Sequence, residues 1–205
     1  MKLTVWSVSQ VLPPTLARVS HHDSILQAAL TLFAHRGIDA TSLVDIAEKA
    51  ETSKANVLYH FGSKDNLVGA CLEPSVAELR SMAAGFSNRG LADRESRLEF
   101  VDRFVDVLIN HRLAIHVIVT HPYRAESTPV LAAAHAVMRE MAVLVATHTS
   151  GPEDRVRFGI AVSGATYALV SAGVIGAETP DDAEIRETLR HVLSEIVSPQ
   201  SVERI

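Results

Sequence analysis

A chain of 205 residues with 47% hydrophobic side chains and a net charge of −5 has enough apolar material for a sizeable core, which excludes disorder as the default. The negative balance excludes a generally basic nucleic-acid binder; all four lysines, Lys2, Lys49, Lys54 and Lys64, precede residue 65, so any attraction for phosphate is local. The single cysteine, Cys71, excludes an intramolecular disulfide framework and, on an apolar helical pattern, reads as a small buried hydrophobe in a cytosolic protein.

The first segment, Met1 to Ala17, is apolar but interrupted by Thr4, Ser7, Ser9 and Gln10, and it reads as a flexible N-terminal arm over residues 1–20 rather than a cleaved signal. Ser20 and Asp23 then have capping-box spacing ahead of Ile25, Leu26, Ala29, Leu32 and Phe33, a helical stripe stopped by Gly37. In the next stretch, TSLVDIAEKAETSKANVLYHFGSK from Thr41 to Lys64, two short helical patterns are joined by a tight polar connection, as in a DNA-reading helix-turn-helix. Leu43, Ile46, Ala47 and Ala50 share one face of its first helix, with Thr41 or Ser42 as the cap; Ser53 caps the second, which puts Lys54, Ala55 and Asn56 in its first turn. Phe33, Ile46, Val57 and Phe61 are the expected core of this three-helix unit.

Ser63 caps a further helix that continues through Cys71, Leu72, Val76 and Leu79 toward Gly85, with Pro74 expected to kink or split it. Residues 86–90 read as a break. Leu98, Val101, Phe104, Val105, Leu108 and Ile109 form the next stripe, and Ala114 to Thr120 a short apolar helix ended by His121 and Pro122. Thr128 and Pro129 open a helix carrying Leu131, Ala134, His135, Met138, Met141 and Val145. Pro152 opens a long helix rich in small residues, and a last amphipathic helix places Ile185, Leu189, Val192 and Ile196 on one face. The expected fold class is all-α, about nine helices and no sheet.

The segments AALTLFAHRGIDATSLVDIAEKA and SKANVLYHFGSKDNL, within about Ser24 to Leu72, resemble the tetracycline-repressor (TetR) family of one-component transcriptional regulators. The resemblance implies residues 21–66 as a DNA-binding domain and residues 67–205 as an effector-binding and dimerisation domain. The implied partners are a palindromic double-stranded DNA operator, a small-molecule effector and a second copy of the chain. The residues that match the family's DNA contacts are Thr41, Ser42, Ser53, Lys54, Ala55, Asn56, Tyr59, His60 and Lys64. Two positions depart from the common pattern. Glu51 stands where many members have glycine, which strains the turn if it needs a positive φ. Leu58 stands where many have tyrosine.

The family's effector cavity is expected to draw on Phe104, Leu108, His111, His116, Tyr123, His135, Met138, Met141 and Tyr167. With no carboxylate among the inferred positions, a neutral or weakly polar lipophilic ligand is favoured over a cation. Gly159, Gly164, Ala168, Ala172, Ile185, Leu189, Val192 and Ile196 are the expected dimer interface, because small side chains permit close helix approach. No cofactor, metal site or catalytic group is expected. His111, His116 and His121, five apart, turn away from one another along a helix and do not converge on a metal. Two rival readings remain open: a small membrane-anchored helical protein spanning the bilayer with residues 158–177, which carry no charge until Glu178, and a histidine-dependent enzyme.

Overall fold

The computed structural model describes residues 20–121, 128–149, 151–175 and 181–198, with the side chains of 170–175 excepted. Among the described residues there are nine helices and no strand: α1 (His21–Arg36), α2 (Leu43–Lys49), α3 (Lys54–Phe61), α4 (Lys64–Ser87), α5 (Arg94–Asn110), α6 (Arg112–Thr120), α7 (Pro129–His148), α8 (Pro152–Ile175) and α9 (Asp182–Val197).

The first four helices start where the sequence places a serine. The hydroxyls of Ser20, Ser42, Ser53 and Ser63 accept the backbone N–H of Asp23, Asp45, Asn56 and Asn66, each at 3.1 Å. A cap of this kind is worth about 1 kcal/mol. α2 and α3 need that help most, because a helix of seven or eight residues is far below the length at which an isolated helix persists in water. At α2 the box is complete. Ser42 donates its own backbone N–H to Asp45 at 2.8 Å, and the Ser42 hydroxyl, then its backbone N–H, hold the Asp45 carboxyl below its ordinary range.

Burial follows the expected stripes. Phe33, Ile46, Val57 and Phe61 are inside, joined by Ile38 from the α1–α2 loop. This core continues without interruption through Leu67, Leu72 and Val76 of α4 into the C-terminal helices. Each fully buried leucine, isoleucine or phenylalanine adds roughly 1.5–3 kcal/mol of apolar transfer. Cys71 is buried as expected; burial pushes its thiol up to about 12, so it stays protonated.

One expectation about α4 is narrowed and one is corrected. Of the kink or split expected at Pro74, the split does not occur: the helix runs unbroken from Lys64 to Ser87, with Pro74 exposed and only one backbone hydrogen bond forgone. Phe86, read as part of a break, is a fully buried end of that helix, edge-on to Phe100 at 5.4 Å between ring centroids.

The C-terminal helices are tied together by a buried guanidinium. Arg97 of α5, 8% exposed, donates to the carbonyls of Leu91 at 2.9 Å and Val197 at 3.1 Å and to Asp154 at 2.7 Å, and lies over the Phe158 ring. Nearer the surface, Arg186 and Arg190 of α9 grip Asp106 of α5. Residues 158–177, the candidate bilayer span, make up most of α8 and run past its end at Ile175; its Phe158, Ala161 and Ala165 are buried in the protein core. Among the described residues, the helix that is long and apolar enough to cross a bilayer by length and composition is instead α7, which buries Val130, Leu131, Ala134, Val137, Met141 and Leu144 and packs along α4.

Candidate nucleic-acid interface and effector cavity

α2, a four-residue connection and α3 form a helix-turn-helix. The chain turns where Ala50, Glu51 and Thr52 donate their N–H groups back to Ile46, Glu48 and Ala47, and Glu51 takes up φ +52°, a left-handed conformation that favours glycine. Val57 and Phe61 anchor α3 to the core, which leaves Ser53, Lys54, Ala55, Tyr59 and His60 on its outer side. Tyr59 is 84% exposed and touches His60 edge-on at 5.4 Å. His60 in turn meets His22 of α1. Asn56 is half-buried, with one side-chain N–H donated to the Thr52 hydroxyl at 2.9 Å; its Oδ1 and second N–H remain for a base edge. Lys64 extends from the start of α4 toward the Asp39 carbonyl at 3.5 Å. Ser42, Ser53, Lys54, Ala55, Asn56, Tyr59, His60 and Lys64 are thus at least partly accessible around α3 and the N-termini beside it. Thr41 is a correction: it is 1% exposed and its hydroxyl donates to the Gly37 carbonyl at 2.8 Å, so its side chain braces the α1–α2 loop and offers nothing to a phosphate.

A cavity of about 330 Å³ lies among α4, α5, α6, α7 and α8, at the small end of the roughly 300–1,000 Å³ typical of ligand pockets. Phe104, Leu108, Met138 and Met141 line it as expected. The polar candidates do not. The His111 ring nitrogen Nε2 pairs with Glu78 at 2.6 Å. On α6 the cavity side is formed by Ile115, Ile118 and Val119, so His116 points about 100° away from Ile115. His135 lies one turn before Met138 and outside the lining, and Tyr167 follows Thr166 around α8 into solvent, 72% exposed. Tyr123 lies outside the described residues. The polar side chains that do line the cavity are Arg155, Ser163 and Thr166 of α8. Sequence reading missed them because Arg155 stands among the charged residues of the first turns of α8, and beyond Arg157 small and apolar residues lie on every side, so no stripe marks the side that borders the cavity. Leu79, Phe100 and Phe158 were missed as cavity walls for a related reason: buried residues next to a void look like buried residues anywhere.

On the expected interface, Gly159 and Gly164 have no atom within 4 Å of where a Cβ would stand, and Ala168 and Val192 are exposed. Ile185, Leu189 and Ile196 are partly buried against this chain's own core. The side chain of Ala172 lies outside the described set.

The family description "Bacterial regulatory proteins, tetR family" matches residues 25–71, the segment that runs from α1 through the helix-turn-helix to α4. An HTH-type transcriptional repressor of Mycobacterium tuberculosis is 54% identical over 50 residues, covering 24% of this chain and 27% of that protein. Over the whole fold, the crystal structure of a TetR-like transcriptional regulator from Rhodococcus sp. RHA1 superposes with a TM-score of 0.58 at 26% identity, covering 89% of this chain and 96% of the other. Residues 25–71 thus carry the TetR-family DNA-binding domain, in a chain whose whole fold is similar to that family's regulators. A TetR-family regulator from Bordetella parapertussis shares the fold with a TM-score of 0.64 at 18% identity, covering 90% and 97% of the two chains. The match to the curated relative spans about a quarter of that protein's length. Within the family's DNA-reading unit, the two departures read from the sequence lie on the surface: Glu51 at the left-handed turn and Leu58, 38% exposed, on α3.

Proposed function

We propose that this TetR-family chain is a ligand-responsive transcriptional regulator, a cytoplasmic homodimer that represses by binding a palindromic operator and is released by a small molecule. Residues 21–66 would read the DNA and residues 67–205 would hold the effector and the dimer contact. The observation that carries the reading is the outer side of α3: a nearly free Tyr59 beside Lys54, Ala55 and Asn56, with no acidic residue from Thr52 to Lys64. An exposed aromatic among uncompensated cations suits a partner that is anionic and stacked. Asn56 can pair bidentately with adenine and Ala55 can meet a thymine methyl; Lys64, at a helix N-terminus that already favours an anion, suits a phosphate.

Two such helices in a two-fold dimer must lie about 34 Å apart, or a little more, to meet both half-sites. The cavity shares Leu79 with α4 and Ile115 and Ile118 with α6, the helices that also pack on α1. A ligand that fits the cavity better in one arrangement of these helices shifts the population away from the spacing that DNA requires.

Operator binding by substituted proteins tests the reading. Asn56→Ala should cost about 1–3 kcal/mol at particular base pairs and relax preference there, while Lys64→Ala should weaken binding uniformly and reduce the salt slope by about one. Equal, sequence-blind binding by wild type and both variants, measured by titration of operator and scrambled duplexes at several salt concentrations, would refute it.

A further inference from the structure

Among the described residues, Arg155 is the one cation that lines the cavity. Arg155 forms no ion pair with a described residue, although it sits between acids: Glu153 is held by Arg157 at 2.8 Å and Asp154 by Arg97 at 2.7 Å. Around it the wall is mostly apolar, and no described carboxylate lines the space. Arg155, Gly159, Ser163 and Thr166 recur at helical spacing along the side of α8 that borders the cavity, the first three of them exposed and Thr166 half-buried. Arg155 and Ser163 are separated by eight residues, a rise of about 12 Å. Between them Gly159 carries no side chain and nothing approaches its Cβ position within 4 Å, so the path along the helix is open. The Ser163 hydroxyl makes no hydrogen bond to a described residue, whereas the Thr166 hydroxyl is already donated to the Val162 carbonyl at 2.8 Å.

We infer that the cavity takes an amphipathic monoanion, a carboxylate with an apolar body about 12 Å long, its head on Arg155 and a distal hydroxyl or carbonyl oxygen on Ser163. The inference rests on the proposed reading of this cavity as the effector site, and it replaces the neutral ligand that the sequence favoured. Arg155 is exposed at the mouth of this apolar space, and its guanidinium can bind a carboxylate in a fork of two N–H donors. An amine meets the same charge as repulsion. A neutral alcohol gains only the apolar contact.

Calorimetric titration with decanoate, ω-hydroxydecanoate, decanol and decylamine tests this. Wild type should bind decanoate at least tenfold more tightly than decanol or decylamine, and ω-hydroxydecanoate severalfold more tightly again. Arg155→Gln should abolish the preference for decanoate over decanol while leaving decanol affinity unchanged, which also reports that the variant is folded. Ser163→Ala should remove only the gain from the ω-hydroxyl. Decanol binding as tightly as decanoate, an unchanged preference in Arg155→Gln, or no binding by any probe would overturn the inference. Arg155-dependent binding that leaves operator affinity unaltered would uphold the ligand class and count against ligand-controlled release.

Discussion

Glu51 is the point at which this chain departs from its family and the backbone records the cost. A side chain at φ +52° holds a conformation about 1–2 kcal/mol less favourable than the right-handed one, and the turn tolerates it because the N–H groups of Ala50, Glu51 and Thr52 are all accepted by α2. Glu51→Gly should therefore raise the melting temperature or leave it unchanged, the relief of strain being partly offset by the extra freedom of glycine in the unfolded chain. Glu51→Val, whose branched Cβ crowds the left-handed backbone, should lower stability by about 1 kcal/mol or more. Thermal unfolding followed by circular dichroism checks both, and a valine variant as stable as the glycine one would show that the turn carries no such strain. Thr41 teaches the same scale from the other side: a residue matched to a DNA contact by position has its hydroxyl committed inside the fold.

Among the helices, α6 has two jobs. Its Ile115, Ile118 and Val119 form one wall of the cavity, and the residue after its last turn, His121, reaches the loop that precedes α2. The His121 Nδ1 lies 2.9 Å from the Val117 carbonyl; donating its proton there leaves Nε2 to accept the Ile38 N–H at 3.4 Å. Gly37 is shaped for this contact, with φ +84° and its Cβ position only 3.2 Å from the same Nε2. The connection between cavity and DNA-reading unit thus runs through α6 as well as α4. His121→Ala should free the Ile38 amide, and with a hydrogen bond worth about 1 kcal/mol lost, hydrogen exchange across residues 37–42 should quicken about fivefold while α5 and α9 stay as they were. Unchanged exchange in that loop, measured by mass spectrometry of the intact protein, would remove α6 from the coupling.

At the scale of the molecule, α8 turns a second apolar side outward: Val156, Ile160 and Tyr167 are each more than half exposed, with Gly164 open between them. On a soluble monomer such a stripe is costly, and in the proposed dimer it is covered. Ile160→Glu should convert a dimer to a monomer in light scattering and weaken operator binding without altering the helical spectrum; a wild type that is monomeric at micromolar concentration would contradict the proposal. The helices themselves were legible because their signals are local, the serine caps of α1 to α4 and the stripes at helical spacing. The cavity was half legible. Phe104, Leu108, Met138 and Met141 follow from the stripes, but His111 finds Glu78 33 positions away, and Arg155 looks in sequence like any surface arginine. Arg97 belongs with these long-range partnerships and bears on the order in which the protein can be made. Its buried guanidinium is satisfied only when the Val197 carbonyl, 100 residues later, arrives. During synthesis the three-helix unit and α4 can assemble while α5 waits with an uncompensated charge that resists burial. The contacts of α5 with α8 and α9 around Arg97 therefore close after the three-helix unit.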